Sequence, residues 1–306
     1  MTSSGKGSNN AKTGTAMAGA AMCCVQLGLA ASVGLSDALG PEGVSWLRLA
    51  WAAVFLLAFT RPWRSPLSRS GLVTCILLGL ATAGMTLMFM AAAVRIPLGT
   101  ASALEFLGPL AVAVVRSRGA GRWWALVAAA GVAALTEPWN GGGSDPIGVL
   151  LALGAAACWA AYILLTQRAG DEVNGLQALA VSLPVAAAAT TVLVGPAVVG
   201  RLDWQLLLVG AGLALLMPVI PFSLELLALR RLKASVFGTL MSLEPAIAVA
   251  IGFVVLGQAP GLTALAGVAL VMAAGVGVTL QSGREGRPGP DVRDDGASRT
   301  EAPAAR

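Results

Sequence analysis

The 306-residue chain has no histidine, and only 11% of it is charged, less than half the ~25% of an ordinary soluble domain. Without histidine, zinc-hydrolase, haem and Ser-His-Asp chemistry lose their usual residue, and only acid-only or lysine-based chemistry stays open to an enzyme. No polar catalytic cluster stands at a predicted interface, so no catalytic residue, metal ligand or cofactor is assigned. A GxxxxGKS/T run is also missing, so no phosphate-binding loop of that kind is expected to drive the protein. The four cysteines, Cys23, Cys24, Cys75 and Cys158, all fall inside apolar segments. They read as small packing residues rather than as a disulfide framework or a metal cluster.

What the chain has in excess is hydrophobic sequence, 57% of its residues, in segments that run nearly end to end. A water-soluble surface cannot be assembled from this composition, and the lipid bilayer is the expected surrounding. The net charge of +5 makes no case for nucleic acid, because the basic residues sit singly in short loops and in a tail rather than along one face. Helices are expected at 15–35, 44–60, 72–93, 98–115, 123–136, 147–166, 176–199, 204–227, 234–256 and 262–281. Several are shorter than the ~20 residues of a straightforward span. Residues 1–14 and 282–306 are polar and Gly-rich and read as disordered tails.

Lys and Arg in short loops set orientation. Arg61, Arg64 and Arg69 precede the third helix, Arg116, Arg118 and Arg122 the fifth, and Arg230, Arg231 and Lys233 the ninth. These loops are expected in the cytoplasm, and ten helices then put both termini there too. The alternate loops carry Asp37 and Glu42, then Arg95, then Glu137 and Asp145, then Arg201 with Asp203, then no charge, and are expected outside. The first apolar stretch, behind Lys6 and Lys12, has the look of a secretory signal, but the second half contains its counterpart. Gly19-Ala20-Ala21-Met22-Cys23 is echoed by Gly154-Ala155-Ala156-Ala157-Cys158, a shift of 135 residues. The segment from Arg95 to Leu107-Gly108-Pro109 aligns without gaps on that from Arg231 to Leu243-Glu244-Pro245, a shift of 136.

Two matches at nearly one shift point to a duplication. An odd number of helices per unit inverts the second copy. The fold class expected is therefore an all-α polytopic membrane protein, with ten transmembrane helices as two inverted five-helix repeats, 15–140 and 147–281. In such proteins the substrate site lies near the midplane where the repeats meet.

Charges at membrane depth cost ~2.5–3.5 kcal/mol each at a helix centre, so the few present are informative. Glu105 lies eight residues past Pro97, ~12 Å below the surface, and Pro109 one turn later opens the helical ladder beside it. It suits ammonium or proton binding, or else pairs with a neighbouring helix and holds the bundle together. Arg48 either snorkels to the interface or turns inward, where its forked donors match a substrate carboxylate or pair with Glu105. Glu244, directly before Pro245, falls close to the midplane. Glu225 lies nearer the cytoplasmic end and has Arg230 and Arg231 as alternative partners. Gln26 is suited to bond a substrate or to join two helices. Trp159 and Tyr162 are substrate contacts or interface anchors, and Gly267, Gly275 and Gly277 permit close helix contact. Pro109 and Pro245, at equivalent places in the halves, are candidate hinges.

The stretch from Ile96 to Ala113, IPLGTASALEFLGPLAVA, resembles the fourth-helix signature of the threonine/homoserine exporter family, in the EamA branch of the drug/metabolite transporters. The resemblance continues in Gly154 to Gly170, in Pro221-Phe222-Ser223-Leu224-Glu225 and in Phe237 to Pro245, and spans about residues 18 to 281. It implies a ten-helix carrier of a bacterial inner membrane that exports small amino acids or related metabolites on the proton gradient. Glu105, Glu225 and Glu244 occupy motif positions, and Arg48 in Trp46-Leu47-Arg48-Leu49 matches a family arginine. Where this chain has Val33, some members carry a lysine. Branch members handle many solutes, so a broad efflux carrier for cationic drugs or metabolites stands beside the amino-acid exporter, and a non-transporting scaffold or sensor stands as a third class. The oligomeric state is not legible.

Overall fold

The structure, a computed structural model, describes residues 3–60, 67–116, 121–137, 144–172, 175–229, 231–232 and 234–285. Arg61, Arg64, Arg118, Arg230, Lys233 and the tail from 286 lie outside the described residues. Every regular element among those described is helical: α1 (Ser3–Thr60), α2 (Arg69–Ala93), α3 (Leu98–Glu105), α4 (Leu107–Arg116), α5 (Gly121–Thr136), α6 (Pro146–Glu172), α7 (Gly175–Val198), α8 (Trp204–Ala214), α9 (Ile220–Leu229), α10 (Ala234–Met241), α11 (Glu244–Leu256) and α12 (Leu262–Glu285). Seven segments among them are long and apolar enough to cross a membrane. An apolar chain in lipid must satisfy its backbone internally, and helices do so segment by segment. The protein is a polytopic membrane protein.

The 58 residues of α1 are two helices joined at a corner. Gly40 has φ 74° and ψ 160°, a region open in practice to glycine alone, and Pro41 restricts Gly40 to extended ψ while presetting the φ of the next helix. Arg48 Nη1 then donates to Ser32 Oγ over 3.5 Å. Sixteen residues along a straight helix would separate these two by ~24 Å, beyond the reach of an arginine, so the arms 3–39 and 41–60 fold back on each other. The first helix is thus longer than expected at both ends. Ser36 and Asp37, read as loop, stay helical because Ser36 Oγ bonds back to Ser32 O at 2.9 Å and Asp37 faces solvent. Residues 3–14, expected as a tail, are also helical; they contain no proline, and Gly14 is buried against Leu232. At the other end α12 continues to Glu285.

Three spans expected as single helices are interrupted. A turn at Phe106 separates α3 from α4, a turn at Ser242 and Leu243 separates α10 from α11, and a π segment, Leu215–Val219, joins α8 to α9. In each case a proline is at hand. Pro109 and Pro245 conflict with the carbonyls of Glu105 and Met241, four residues earlier, and Pro218 brings no N–H to the middle of the π segment.

Packing joins the first part of the chain to the second. The arms of α1 lie on α7, α8, α9 and α11, while α2 lies on α6 and α7, α3 on α6 and α11, and α5 on α12. The central cluster is rich in alanine (Ala92, Ala101, Ala103, Ala152, Ala155, Ala248) around Leu98, Leu104 and Val271. Small side chains are what allow helices to approach in lipid, where no hydrophobic drive holds them. Several contacts are reciprocal at a spacing of 136. A methyl group on Gly131 would sit 2.9 Å from Gly267 O and 2.9 Å from Val271, and one on Gly267 would sit 2.8 Å from Gly131 O and 2.7 Å from Leu135. A looser parallel has Gly148 packed under Arg95 and Ile96 and Gly14 under Arg231 and Leu232, the glycines 134 residues apart and their partners 136.

Candidate functional site

The helix corner and the two helix breaks bring the scattered polar residues together, with Arg48 and Gln26 buried and Glu105, Glu225 and Glu244 half-buried. Arg48, in the second arm of α1, is only 8% exposed and turns inward rather than toward the interface. Besides Ser32, its Nη1 lies 2.8 Å from Met217 Sδ in the π segment. Thioether sulfur is a weak acceptor. No carboxylate lies within ion-pair distance of Arg48 among the described residues, where the one ion pair is Arg95–Asp145 at 3.4 Å. Arg48 does interact electrostatically with Glu105.

Glu105 is the last residue of α3, at the break that Pro109 opens. Glu244 is the first residue of α11, immediately before Pro245, and its Oε1 accepts from Gln26 Nε2 at 3.2 Å. Glu105 feels both Arg48 and Glu244, and Glu244 in turn feels Glu225 on α9. Glu225 also faces Tyr162, which bonds to Thr166 on the same helix. The order along the cluster is therefore Arg48, Glu105, Glu244, Glu225, Tyr162. No ion pair joins Glu225 to Arg231 among the described residues, and Arg230 is outside them. Trp159 packs, partly buried, against the central apolar cluster.

An open cavity of ≈ 630 Å³ is lined by residues of the α1 corner (Val33, Asp37 and Pro41), of the turn after α2 (Arg95 and Pro97) and of the turn after α11 (Gln258). The three segments meet at one mouth. Val33 is among its lining residues. Gln26 is on the same face of α1 seven residues deeper, ~10 Å. Leu29 and Ala30 lie between the two along the helix, buried in one cluster with Phe89, Ile96, Leu98 and Leu104. Gln258 also accepts from Leu98 N at 2.8 Å, capping the helix that carries Glu105.

Sequence reasoning singled out Arg48, Glu105, Glu244, Glu225 and Gln26, and the structure gathers all five. It missed Ser32 and Met217, which hold the guanidinium, and Gln258. The corner at Gly40-Pro41 was the available signal for Ser32, since a reversal there puts the residue eight before it opposite the residue eight after. Pro218 inside an apolar run was the signal for Met217.

The comparisons with known proteins agree with this architecture. The EamA-like transporter family matches residues 146–280. The chain is 39% identical over 270 residues to the threonine/homoserine exporter RhtA of Salmonella typhimurium strain LT2, covering 87% of this chain and 90% of that one. It is 38% identical over 271 residues to RhtA of Escherichia coli K12, covering 87% and 91%. A crystal structure 19% identical in sequence superposes with a TM-score of 0.57 over 89% of this chain and 98% of its own, a likeness of fold alone. An alignment at this identity that leaves little of either chain uncovered, together with the family motifs at the helix breaks, places the chain in the RhtA threonine/homoserine exporter family, within the EamA-like transporters.

Proposed function

We propose that the protein is a secondary active transporter of a bacterial inner membrane that exports threonine, homoserine or related small amino acids in exchange for protons. The observation that carries the reading is the meeting of a buried Arg48 with Glu105 and Glu244, which stand at the breaks of two helices. A zwitterion has one group for each side of such a site. Its carboxylate meets the donors of Arg48, and its ammonium meets Glu105 and Glu244.

Charge balance supplies the coupling. With Glu225 included, three carboxylates and one guanidinium leave the cluster at a net charge of −2 when every group is ionised. At ~2.5–3.5 kcal/mol per charge at membrane depth, that surplus favours a bound cation. A proton and an ammonium both answer it, and each arrival makes the other unnecessary. Substrate entering from the cytoplasm then expels a proton, and a proton entering from outside expels substrate. Glu225 and Tyr162 extend the acidic path toward the cytoplasmic end. Pro109 and Pro245 let the two broken helices bend as the site opens to alternate sides.

The architecture we infer is ten crossings, two for α1, one each for α2, α5, α6, α7 and α12, and one each for the interrupted pairs α3–α4, α8–α9 and α10–α11. They form two inverted repeats, 15–140 and 147–281, with both termini in the cytoplasm. The reciprocal contacts support this, since a residue packing against its own repeat mate, as Gly131 does against Gly267, is the mark of a two-fold axis. A second reading, efflux of cationic drugs or metabolites, draws on the surplus of carboxylates over guanidinium.

Efflux of labelled threonine and homoserine from preloaded cells, with and without a protonophore, tests the proposal. Protonophore-sensitive export above an empty-vector control is expected. Its absence, with the protein in the membrane and a panel of toxic cations cleared instead, would favour the second reading.

A further inference from the structure

Gln26 is 1% exposed, and only one end of its amide is accounted for. Nε2 donates to Glu244 Oε1 at 3.2 Å, whereas Oε1 is buried with no protein hydrogen-bond partner. A buried carbonyl left in that condition carries a penalty, and it ends when a donor arrives. The chain does not repeat this arrangement in its second half. At the two shifts the partners of Gln26 and Glu244 are Ala161 and Gly108, which have no polar side chain.

From this geometry we propose that Gln26 is a specificity- and coupling-determining residue, an amide switch that offers the substrate ammonium an acceptor only while Glu244 is ionised. The inference rests on the exporter reading and deepens it. An ionised Glu244 only accepts, so the amide turns its NH2 end to it and its carbonyl end away. An ammonium arriving there finds two acceptors, the carboxylate and the Gln26 carbonyl. A protonated Glu244 has an O–H to donate. The amide then turns by half a rotation about its Cγ–Cδ bond, accepts that O–H with Oε1, and presents two N–H donors where the ammonium would sit. Proton and substrate thus exclude each other through hydrogen-bond polarity, in addition to charge. No covalent bond other than the O–H is made or broken, and the proton leaves to water on the side to which the site is open. The charged groups that act on Glu244 are Glu225 on α9 and Glu105 on α3, and Glu105 in turn faces Arg48 on α1; none of them needs to change partner for the amide to turn.

The test is threonine and homoserine transport by the full-length protein in proteoliposomes, with KM measured across pH for the native chain, for Gln26→Met and for Gln26→Asn. Gln26→Met keeps length and loses both hydrogen-bonding ends. It should raise KM about tenfold at neutral pH and flatten the rise in KM that the switch requires of the native chain as pH falls. Gln26→Asn keeps both ends on a shorter stem and should retain part of the pH dependence. A Gln26→Met protein with native KM and native pH profile would overturn the switch and leave the exporter reading standing. So would a Gln26→Met protein that transports with native pH dependence but melts at a lower temperature, since that is the behaviour of a residue that merely joins helices. Absence of transport of either amino acid by the native chain would overturn both.

Discussion

The two broken helices, α3–α4 and α10–α11, have the same backbone plan and opposite chemistry. Phe106 and Ser242 mark the turns, and Pro109 and Pro245 follow each by three residues. The carboxylates do not correspond. Glu105 stands before its break with Met241 as its counterpart, and Glu244 stands after its break with Gly108 as its counterpart. The break is thus common to both helices, while charge is placed once on each, so that a site exists only where the helices meet. Arg48 sharpens the asymmetry, because it interacts with Glu105 and comes from the helix corner at Gly40 rather than from either break.

The largest effect should follow from Glu105→Gln. Export that depends on pH should be abolished while the protein still inserts, as measured by efflux and by membrane fractionation. Moving the carboxylate to its counterpart, with Glu105→Met and Met241→Glu together, should not restore it, because Met241 has no equivalent of Arg48. Rescue by that pair would mean that the two breaks are chemically interchangeable.

Next come the hinges, where the halves should behave alike. Pro109→Ala and Pro245→Ala each remove a clash with the carbonyl four residues earlier and should straighten a helix that bends in the cycle we propose. Both should slow export several-fold with little change in KM, and by similar factors. A defect confined to one would show that only one break moves.

Smaller again are the reciprocal glycines. Gly131→Ala and Gly267→Ala should lower stability by similar amounts, ~1–3 kcal/mol for overpacking, because each methyl would meet the other's carbonyl at 2.8–2.9 Å. Thermal melts in detergent would measure this, and unequal shifts would break the two-fold pairing of α5 with α12. The least effect belongs to Arg95→Ala, which removes an exposed ion pair with Asp145 worth at most ~1 kcal/mol. Strong loss of export in that variant would assign Arg95 a part in the cavity that the ion pair does not explain.

Much of the site was legible from composition because charge in an apolar chain is costly and therefore sparse. Arg48, Glu105, Glu225 and Glu244 stood out for that reason alone, and Pro109 and Pro245 for their power to interrupt a helix. The interruptions themselves were less legible. Each span reads as one apolar run, and a proline announces a kink without saying whether a turn, as at Phe106, or a π segment, as at Leu215–Val219, absorbs it. Helix ends were misjudged where polarity stood in for structure. Ser36 and Asp37 are polar yet helical, and the N-terminal stretch from Ser3 is helical as well, since a polar helix is stable wherever one side has something to lie on. The partners of Arg48 were out of reach, because Ser32 and Met217 become neighbours of it only once the chain has turned at Gly40 and the π segment has closed on α1.

The central claim, that one site holds either a proton or an ammonium, is tested most directly by proton release. Threonine or homoserine would be added to the purified protein in weakly buffered detergent, with the pH followed by an indicator dye, for the native chain and for Glu105→Gln. The account requires protons to be released by the native chain in proportion to bound substrate, and little or no release by the variant. Saturable binding to the native chain with no proton released would contradict it, leaving a carrier whose carboxylates shape the site without coupling it to the proton gradient.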